Sequence, residues 1–320
     1  MFKTACSQHL TCFIGFSSIF KNTLNKYSTE CQRTIKVGFI GRPNAGKSSL
    51  INSCIGRHFL PVSNIPHTSQ QLLTCVKTFT DTQVIFQDTP GLINPAIRKK
   101  RFRIDEKLDI VRDCLSQSDL IAVVVDSHIS ITYPYISPEI QMILREYENL
   151  PSVLLLNKVD TIQRKKIKCL AKSLTRPPLD VPMHLCKTPI DTGGWDRSKA
   201  KECEGILKFI YYVCSISKYN PWPYEPETAI TFGLDVLTTE LTKEALLHVT
   251  RNEIPFVVTP ETTITFQDAT MIFRILIRCP SERYIRILKI EEGRLRDHID
   301  KHFRNELKSI KYSIEIMYAS

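Results

Sequence analysis

Apolar positions along this chain follow two rhythms. Short unbroken runs, Thr34–Ile40 (TIKVGFI), Thr82–Asp88 (TQVIFQD), Leu120–Asp126 (LIAVVVD) and Ser152–Asn157 (SVLLLN), predict buried strands. After Gly46 the spacing turns helical, with Leu50, Ile51, Cys54 and Ile55 on one face. Near the C terminus, Ile285 and Leu288 precede Ile290-Glu291-Glu292-Gly293, and Leu295, Ile299, Phe303 and Leu307 follow it. That pattern predicts two helices joined by a loop at 290–293. The run ILKFIYYVCSIS (Ile206–Ser217) contains Ile210-Tyr211-Tyr212-Val213, poor helix material, and is read as a strand ending in a loop at Ser215-Ile216. The alternative places that loop in MHLCKT (Met183–Thr188) and makes Ser198–Ser217 a helix. Because the prolines of KYNPWPY forbid a helix immediately afterwards, the strand reading leaves one sheet face under-covered.

With 320 residues the chain is long enough for two domains, and no apolar stretch reaches the length of a membrane span. The net charge of +10 favours an anionic partner, RNA or a membrane surface. Eleven cysteines are scattered singly, with no Cys-x2-Cys and no Cys/His cluster at zinc spacing, which points to free thiols in a reducing compartment. His298 and His302 stand four apart on a predicted helix; a metal pair is one reading, a solvated helix face the preferred one. Residues 1–34 carry Lys3, Lys21 and Lys26 and no acid before Glu30, the pattern of a mitochondrial transit segment, although the first arginine is Arg33. RKKRFR (Arg98–Arg103) reads as a solvated loop, with an RNA-facing patch as the alternative.

The chemistry concentrates where strands end. GRPNAGKSSL sits between the first strand and the first helix, the context a Gly-x4-Gly-Lys-Ser phosphate cradle requires. Gly41, Arg42, Pro43, Asn44, Ala45 and Gly46 would form the loop, with Gly41 and Gly46 letting its backbone N–H groups turn inward onto phosphates at a helix N-terminus. Lys47 would reach the β- and γ-phosphates, with Ser48 binding Mg2+ and Ser49 following in the cradle. DTPGL supplies Asp88 for the Mg2+ shell, then Thr89, Pro90, Gly91 and Leu92, with Gly91 approaching a γ-phosphate. In the intervening PVSNIPHTSQ, Thr68 is placed to close on the metal as a switch. Asn157, Lys158, Val159 and Asp160 (NKVD) follow another strand. Asp160 can accept from guanine N1–H and the exocyclic amine, a pair that adenine lacks. Lys47, Thr68 and Gly91 are the candidates for hydrolysis, and Ser48, Thr68 and Asp88 for the metal.

These motifs, with VSNIPHTS, PWPY (Pro221–Tyr224) and LLHVTRNEIPF (Leu246–Phe256), resemble the Era-type GTPases, specifically their mitochondrial branch. The resemblance spans residues 35 to 320. It implies a doubly wound α/β P-loop G domain over 35–220, followed by a linker and a small α/β type II KH-like domain over 221–320. It further implies GTP and Mg2+ as ligands, K+ at Asn44, slow hydrolysis because Leu92 stands where a water-orienting Gln would be, and action on small-subunit rRNA and the ribosomal subunit precursor. A monomer in the mitochondrial matrix, with peripheral inner-membrane contact, completes that expectation. Ser215 would cover the guanine O6. The KH clamp should be Gly-x-x-Gly, whereas Ile290-Glu291-Glu292-Gly293 stands there without its first glycine. Arg286, Lys289, Gly293, Arg294 and Arg296 would then form a more electrostatic RNA clamp. The competing expectation is a GTPase switch for protein or membrane partners whose degenerate KH domain does not bind RNA.

Overall fold

The computed structural model describes residues 31–62, 72–92, 102–160, 162–174, 183–185, 204–250, 253–307 and 310–320. These fall into two compact units, one from 31–57 and 72–231, the other from 58–62 and 232–320. Thr68, the transit segment apart from its last residues, and most of RKKRFR lie outside the described residues.

The first unit runs β1 (Arg33–Gly41), α1 (Lys47–Ile55), β2 (Leu73–Phe79), β3 (Thr82–Asp88), α2 (Phe102–Ser116), β4 (Leu120–Asp126), α3 (Ser127–Thr132), α4 (Pro138–Glu146), β5 (Ser152–Asn157), α5 (Arg164–Leu174), β6 (Met183–Leu185), α6 (Glu204–Ser215) and β7 (Lys218–Tyr219). The sheet order is β2-β3-β1-β4-β5-β6, parallel except for β2 and for β7, which pairs with the start of β1. The predicted doubly wound α/β fold is what the chain adopts. Alternation along the strands feeds two apolar layers. On one face Phe39 of β1 lies edge-on to Phe209 of α6, at 5.9 Å and 89°, and tilted against Phe86 of β3. On the other, Ile40, Ile121, Val123, Leu154 and Leu156 meet Val111 and Leu115 of α2, Ile140 and Ile143 of α4, and Ile167 and Leu170 of α5. Each such side chain buried contributes about 1.5–3 kcal/mol.

Two expectations fail at α6. The run read as a strand is a helix, with Ile206, Phe209 and Val213 buried at i, i+3 and i+7. The covering helix is therefore present, and the sheet face it packs on is not bare. The β-leaning side chains of Ile210 to Val213 each cost a few tenths of a kcal/mol in a helix, less than the burial of Phe209 returns. Beyond α6 the chain is strapped back onto the start of β1. The Trp222 indole N–H donates to the Arg33 and Asp81 carbonyls at 3.2 Å, and Gln83 exchanges two hydrogen bonds with the Tyr224 backbone.

The second unit contains α7 (Leu234–Val249), α8 (Ile254–Val257), β8 (Thr259–Gln267), β9 (Thr270–Arg278), α9 (Glu282–Glu306) and β10 (Tyr312–Ala319). β8 and β9 form a hairpin whose two turn residues, Asp268 and Ala269, both have positive φ, the geometry that matches strand twist. β10 lies parallel to β9, giving the order β10-β9-β8. Phe273, Phe303 and Tyr312 close the core between sheet and α9. This is the small α/β unit expected, but with one departure. The predicted helix–loop–helix at 290–293 does not exist: α9 runs unbroken for 25 residues. Ile285, Leu288, Leu295, Ile299 and Phe303 are all buried along a single continuous stripe. The predicted solvated face for His298 and His302 also fails, since both turn toward the buried Glu244 of α7.

Candidate functional site

The phosphate loop leaves β1 at Gly41 and enters α1 at Lys47. Its turn is made by two left-handed residues, Asn44 at φ 60 and Gly46 at φ 94. A side chain at Gly46 would overlap the Asn157 amide, so the loop needs glycine there for both conformation and space. Gly91 faces the same demand from the other side, because a Cβ would come within 2.7 Å of the Pro43 nitrogen. The DTPGL segment is thus packed directly against the cradle. Leu92 N–H donates to the Gly41 carbonyl at 3.0 Å, and the Thr89 hydroxyl to the Phe39 carbonyl at 2.6 Å.

Lys47 and Ser48 open α1. Lys47 is only 7 % exposed. Burial holds its ammonium below the ordinary lysine range, Asp88 pulls it back up, and Lys107 adds to the depression. A desolvated cation at a helix N-terminus is a strong attractor for phosphate. The Ser48 hydroxyl donates to an Asp88 carboxylate oxygen. A hydroxyl and a buried carboxylate in contact at the end of β3 form an oxygen donor set that suits Mg2+.

The NKVD residues are tied to the cradle by two hydrogen bonds. Asn157, fully buried, donates from Nδ2 to the Ala45 carbonyl at 2.9 Å. Lys158, itself at φ 59, donates from Nζ to the Asn44 carbonyl at 2.7 Å. Asp160 is exposed in the turn beyond, open to a base. One member of the site was missed in the sequence. Asp126, at the end of β4, pairs with Lys158 at 2.8 Å and accepts from the His128 N–H at the start of α3. The signal was available: Asp126 ends LIAVVVD as Asp88 ends TQVIFQD, and Asp126 stands in register beside Asn157.

Ser215 does not join the guanine end. It lies in the last turn of α6, its hydroxyl donates to the Tyr212 carbonyl, and its own carbonyl faces the Arg33 guanidinium. Arg33 opens β1 while the cradle follows Gly41, so Ser215 lies by the opposite end of the strands from the cradle, about 25 Å away along β1. The expected loop at Ser215-Ile216 failed because its strand is a helix.

The RNA-binding candidates also change character. Arg286, Lys289, Gly293, Arg294 and Arg296 are all exposed, but on the outer side of one helix rather than around a loop. Glu291 and Glu292 do not project freely. Arg294 pairs with Glu291 at 3.1 Å and Arg296 with Glu292 at 3.2 Å, and Tyr318 donates to Glu292. Arg286 and Lys289 have no carboxylate within ion-pair distance among the described residues, leaving them the freest cations of the set.

Comparison with known proteins agrees with this site. Residues 36–158 match the family model for 50S ribosome-binding GTPases. The chain is 30% identical to GTPase Era of Alkaliphilus oremlandii over 240 residues, covering 72% of this chain and 73% of that protein. It is also 30% identical to GTPase Era of Rickettsia conorii, where the match spans 62% of the relative's length and 72% of this chain. Against the mitochondrial GTPase Era of Danio rerio it is 26% identical over 328 residues, covering 88% of this chain and 73% of the relative. The fold superposes on a crystal structure of Era in complex with MgGDPNP and a 16S ribosomal RNA fragment, with a TM-score of 0.72, 21% identity, and coverage of 90% and 93% of the two chains. The cradle, the carboxylate at the end of β3 and the base-reading loop, joined in one chain to a KH-like unit, place the protein in the Era family of GTPases.

Proposed function

We propose that the chain binds GTP with Mg2+, hydrolyses it slowly, and uses its second unit to bind small-subunit rRNA during assembly of that subunit. The observation that carries the nucleotide reading is the pair of bonds from Asn157 and Lys158 to the Ala45 and Asn44 carbonyls. The base-reading loop and the phosphate loop are thereby held as one receptor, spaced for a purine nucleotide. The backbone N–H groups of 41–48, Pro43 having none, and the Lys47 ammonium bind phosphate, and Asp160 selects guanine. Ser48 and Asp88 would hold Mg2+, which when bound neutralises phosphate charge. Gly91 would offer its N–H to the γ-phosphate, and Thr68, outside the described residues, would close over the metal. Leu92 is apolar and 2 % exposed, so it orients no water, and slow turnover follows. A K+ ion at Asn44 would speed hydrolysis.

The RNA reading rests on family membership, on the rRNA bound by the related Era structure, and on the exposed cations of α9. The mitochondrial relative and the basic N-terminal segment support action in the mitochondrial matrix. The unbroken α9 favours a second reading at one point only: the unit does not grip RNA through a glycine loop. Contact would come from the helix's outer face, by phosphate charge rather than base readout.

The nucleotide half is tested by calorimetry of GDP, GTP and ATP binding to wild type and Asp160→Ala. Micromolar or tighter guanine binding that loses its preference over ATP in the variant is expected; equal ATP and GTP affinity in wild type overturns it. Turnover in K+ against Na+ buffer tests Asn44. The RNA half is tested by filter binding of small-subunit rRNA fragments with GDP or a GTP analogue at two salt concentrations. Nucleotide- and salt-dependent affinity is expected, and no binding supports the partner-switch alternative.

A further inference from the structure

One charged cluster in the second unit takes no part in binding nucleotide or RNA as described above. Glu244 projects from α7 with its side chain 4 % exposed. His58 Nε2 is 3.3 Å from one carboxylate oxygen, and the Nε2 atoms of His248 and His298 are each 3.9 Å from the other. The His302 ring stacks on His58 with centroids 4.5 Å apart, and His248 stacks on His298 at 5.2 Å. Four imidazoles therefore surround one buried carboxylate, drawn from α7, from α9 and from the segment that follows α1.

Protein groups alone serve this arrangement poorly. A buried carboxylate needs a full opposing charge, and stacked imidazoles cannot all be protonated without repelling one another. Burial, the neighbouring histidines and Lys301 push His302 down to about 4, against the pull of Glu244. Burial alone would raise Glu244, but the histidines around it draw it down to about 2. His58 Nδ1 and His298 Nε2 are buried polar atoms with no hydrogen-bond partner among the described residues.

The geometry points to a site for one divalent transition-metal ion of the zinc type, bound by His58, Glu244 and His302. One ligand atom from each lies within 4.8 Å of the other two. The 3.3 Å edge between His58 and Glu244 is already about that of a tetrahedron with bonds of roughly 2.0–2.1 Å. Two nitrogens and one oxygen select zinc-type ions over Mg2+ and Ca2+, which take oxygen donors. A water fills the fourth position, and His248 and His298 flank the free carboxylate oxygen. The ion would staple the chain 186 residues apart, from His58 to Glu244, and fasten α9 to both.

The test uses tag-free full-length protein, stripped with chelator and returned to buffer with excess Mg2+ and GDP so that the nucleotide site is filled. Titration with Co2+ should give visible absorption bands of a four- or five-coordinate nitrogen/oxygen site that saturate at one ion per chain and vanish on adding Zn2+. Zn2+ should also raise the melting temperature by several degrees. His302→Asn and His58→Asn, chosen because Glu244 substitutions risk misfolding, should weaken Co2+ binding by at least about tenfold while GDP affinity stays unchanged. Absent bands overturn the site, as do bands of equal strength in both variants, which would mark adventitious binding elsewhere.

Discussion

Glycine shows how differently one residue type is used in this chain. Gly46 has φ 94 and its absent side chain leaves room for the Asn157 amide, whereas a Cβ on Gly293 would meet nothing within 4 Å. Gly46→Ala should therefore destabilise the first unit by about 1–2 kcal/mol from backbone strain alone and abolish nucleotide binding. Gly293→Ala should stabilise the second unit by about 0.5–1 kcal/mol, because alanine is the better helix former. Thermal unfolding followed by circular dichroism separates the two; a loss of stability in Gly293→Ala would mean that α9 is not continuous there. Asp126 supports a second residue-scale prediction. Asp126→Asn keeps an oxygen to cap α3 but removes the charge that holds Lys158, so cap stability is preserved while the base loop loosens. GDP should dissociate about tenfold faster, a loss of roughly 1.4 kcal/mol, within the range for a charge-assisted hydrogen bond, and stopped-flow release of a fluorescent GDP would read it. The cradle residues were legible in the sequence because Gly-x4-Gly-Lys-Ser fixes both residue type and spacing. Asp126 was legible only as an acid ending a strand, because its pairing with Lys158 depends on β4 lying beside β5, and that register is a tertiary fact.

At the scale of elements, the departures at α6 and α9 from what the sequence predicts have opposite causes. At α6, local propensity was trusted over periodicity. The buried positions Ile206, Phe209 and Val213 keep helical spacing through the tyrosines, and Tyr211 points to solvent. At α9, a loop expected from family resemblance displaced a periodicity that was already on the page: Ile285, Leu288, Leu295, Ile299 and Phe303 stay in helical register straight across 290–293. One glycine in a 25-residue helix costs about 1 kcal/mol, and the Arg294–Glu291 and Arg296–Glu292 pairs offset part of it. The four strands β1, β3, β4 and β5 were legible because runs such as Val153–Leu156 are apolar on both sides, a pattern that a covered parallel sheet explains. If α6 is the lid of that sheet, Phe209→Ala should remove about 3–5 kcal/mol from the first unit, since Phe39 would lose its edge-on partner above a cavity. Chemical denaturation monitored on the first unit would show it. A change under 1 kcal/mol would mean that α6 contributes little to the core.

Across the whole molecule, the +10 charge is the feature that composition alone revealed, and what the fold adds is where some of it is free to act. Many basic residues are already engaged: Lys158 with Asp126, Arg112 with Glu146, Arg274 with Glu315, Arg278 with Glu261. Along α9 the pairs at Arg294 and Arg296 leave Arg286 and Lys289, three apart on the exposed face, as the strongest local attraction for a phosphate backbone. Each phosphate neutralised releases counterions and contributes a slope of about −0.7 in log affinity against log salt for a single strand. Arg286→Glu with Lys289→Glu removes two contacts and installs two repulsions at exposed positions of the helix, so the fold and GTP affinity should be unaffected. Small-subunit rRNA binding should weaken at every salt concentration, and the slope should become shallower by roughly 1.4, the sum of two contacts. A parallel loss with unchanged slope would place the RNA elsewhere on the surface. An unchanged affinity would remove α9 from the interface and leave the second unit to a protein partner.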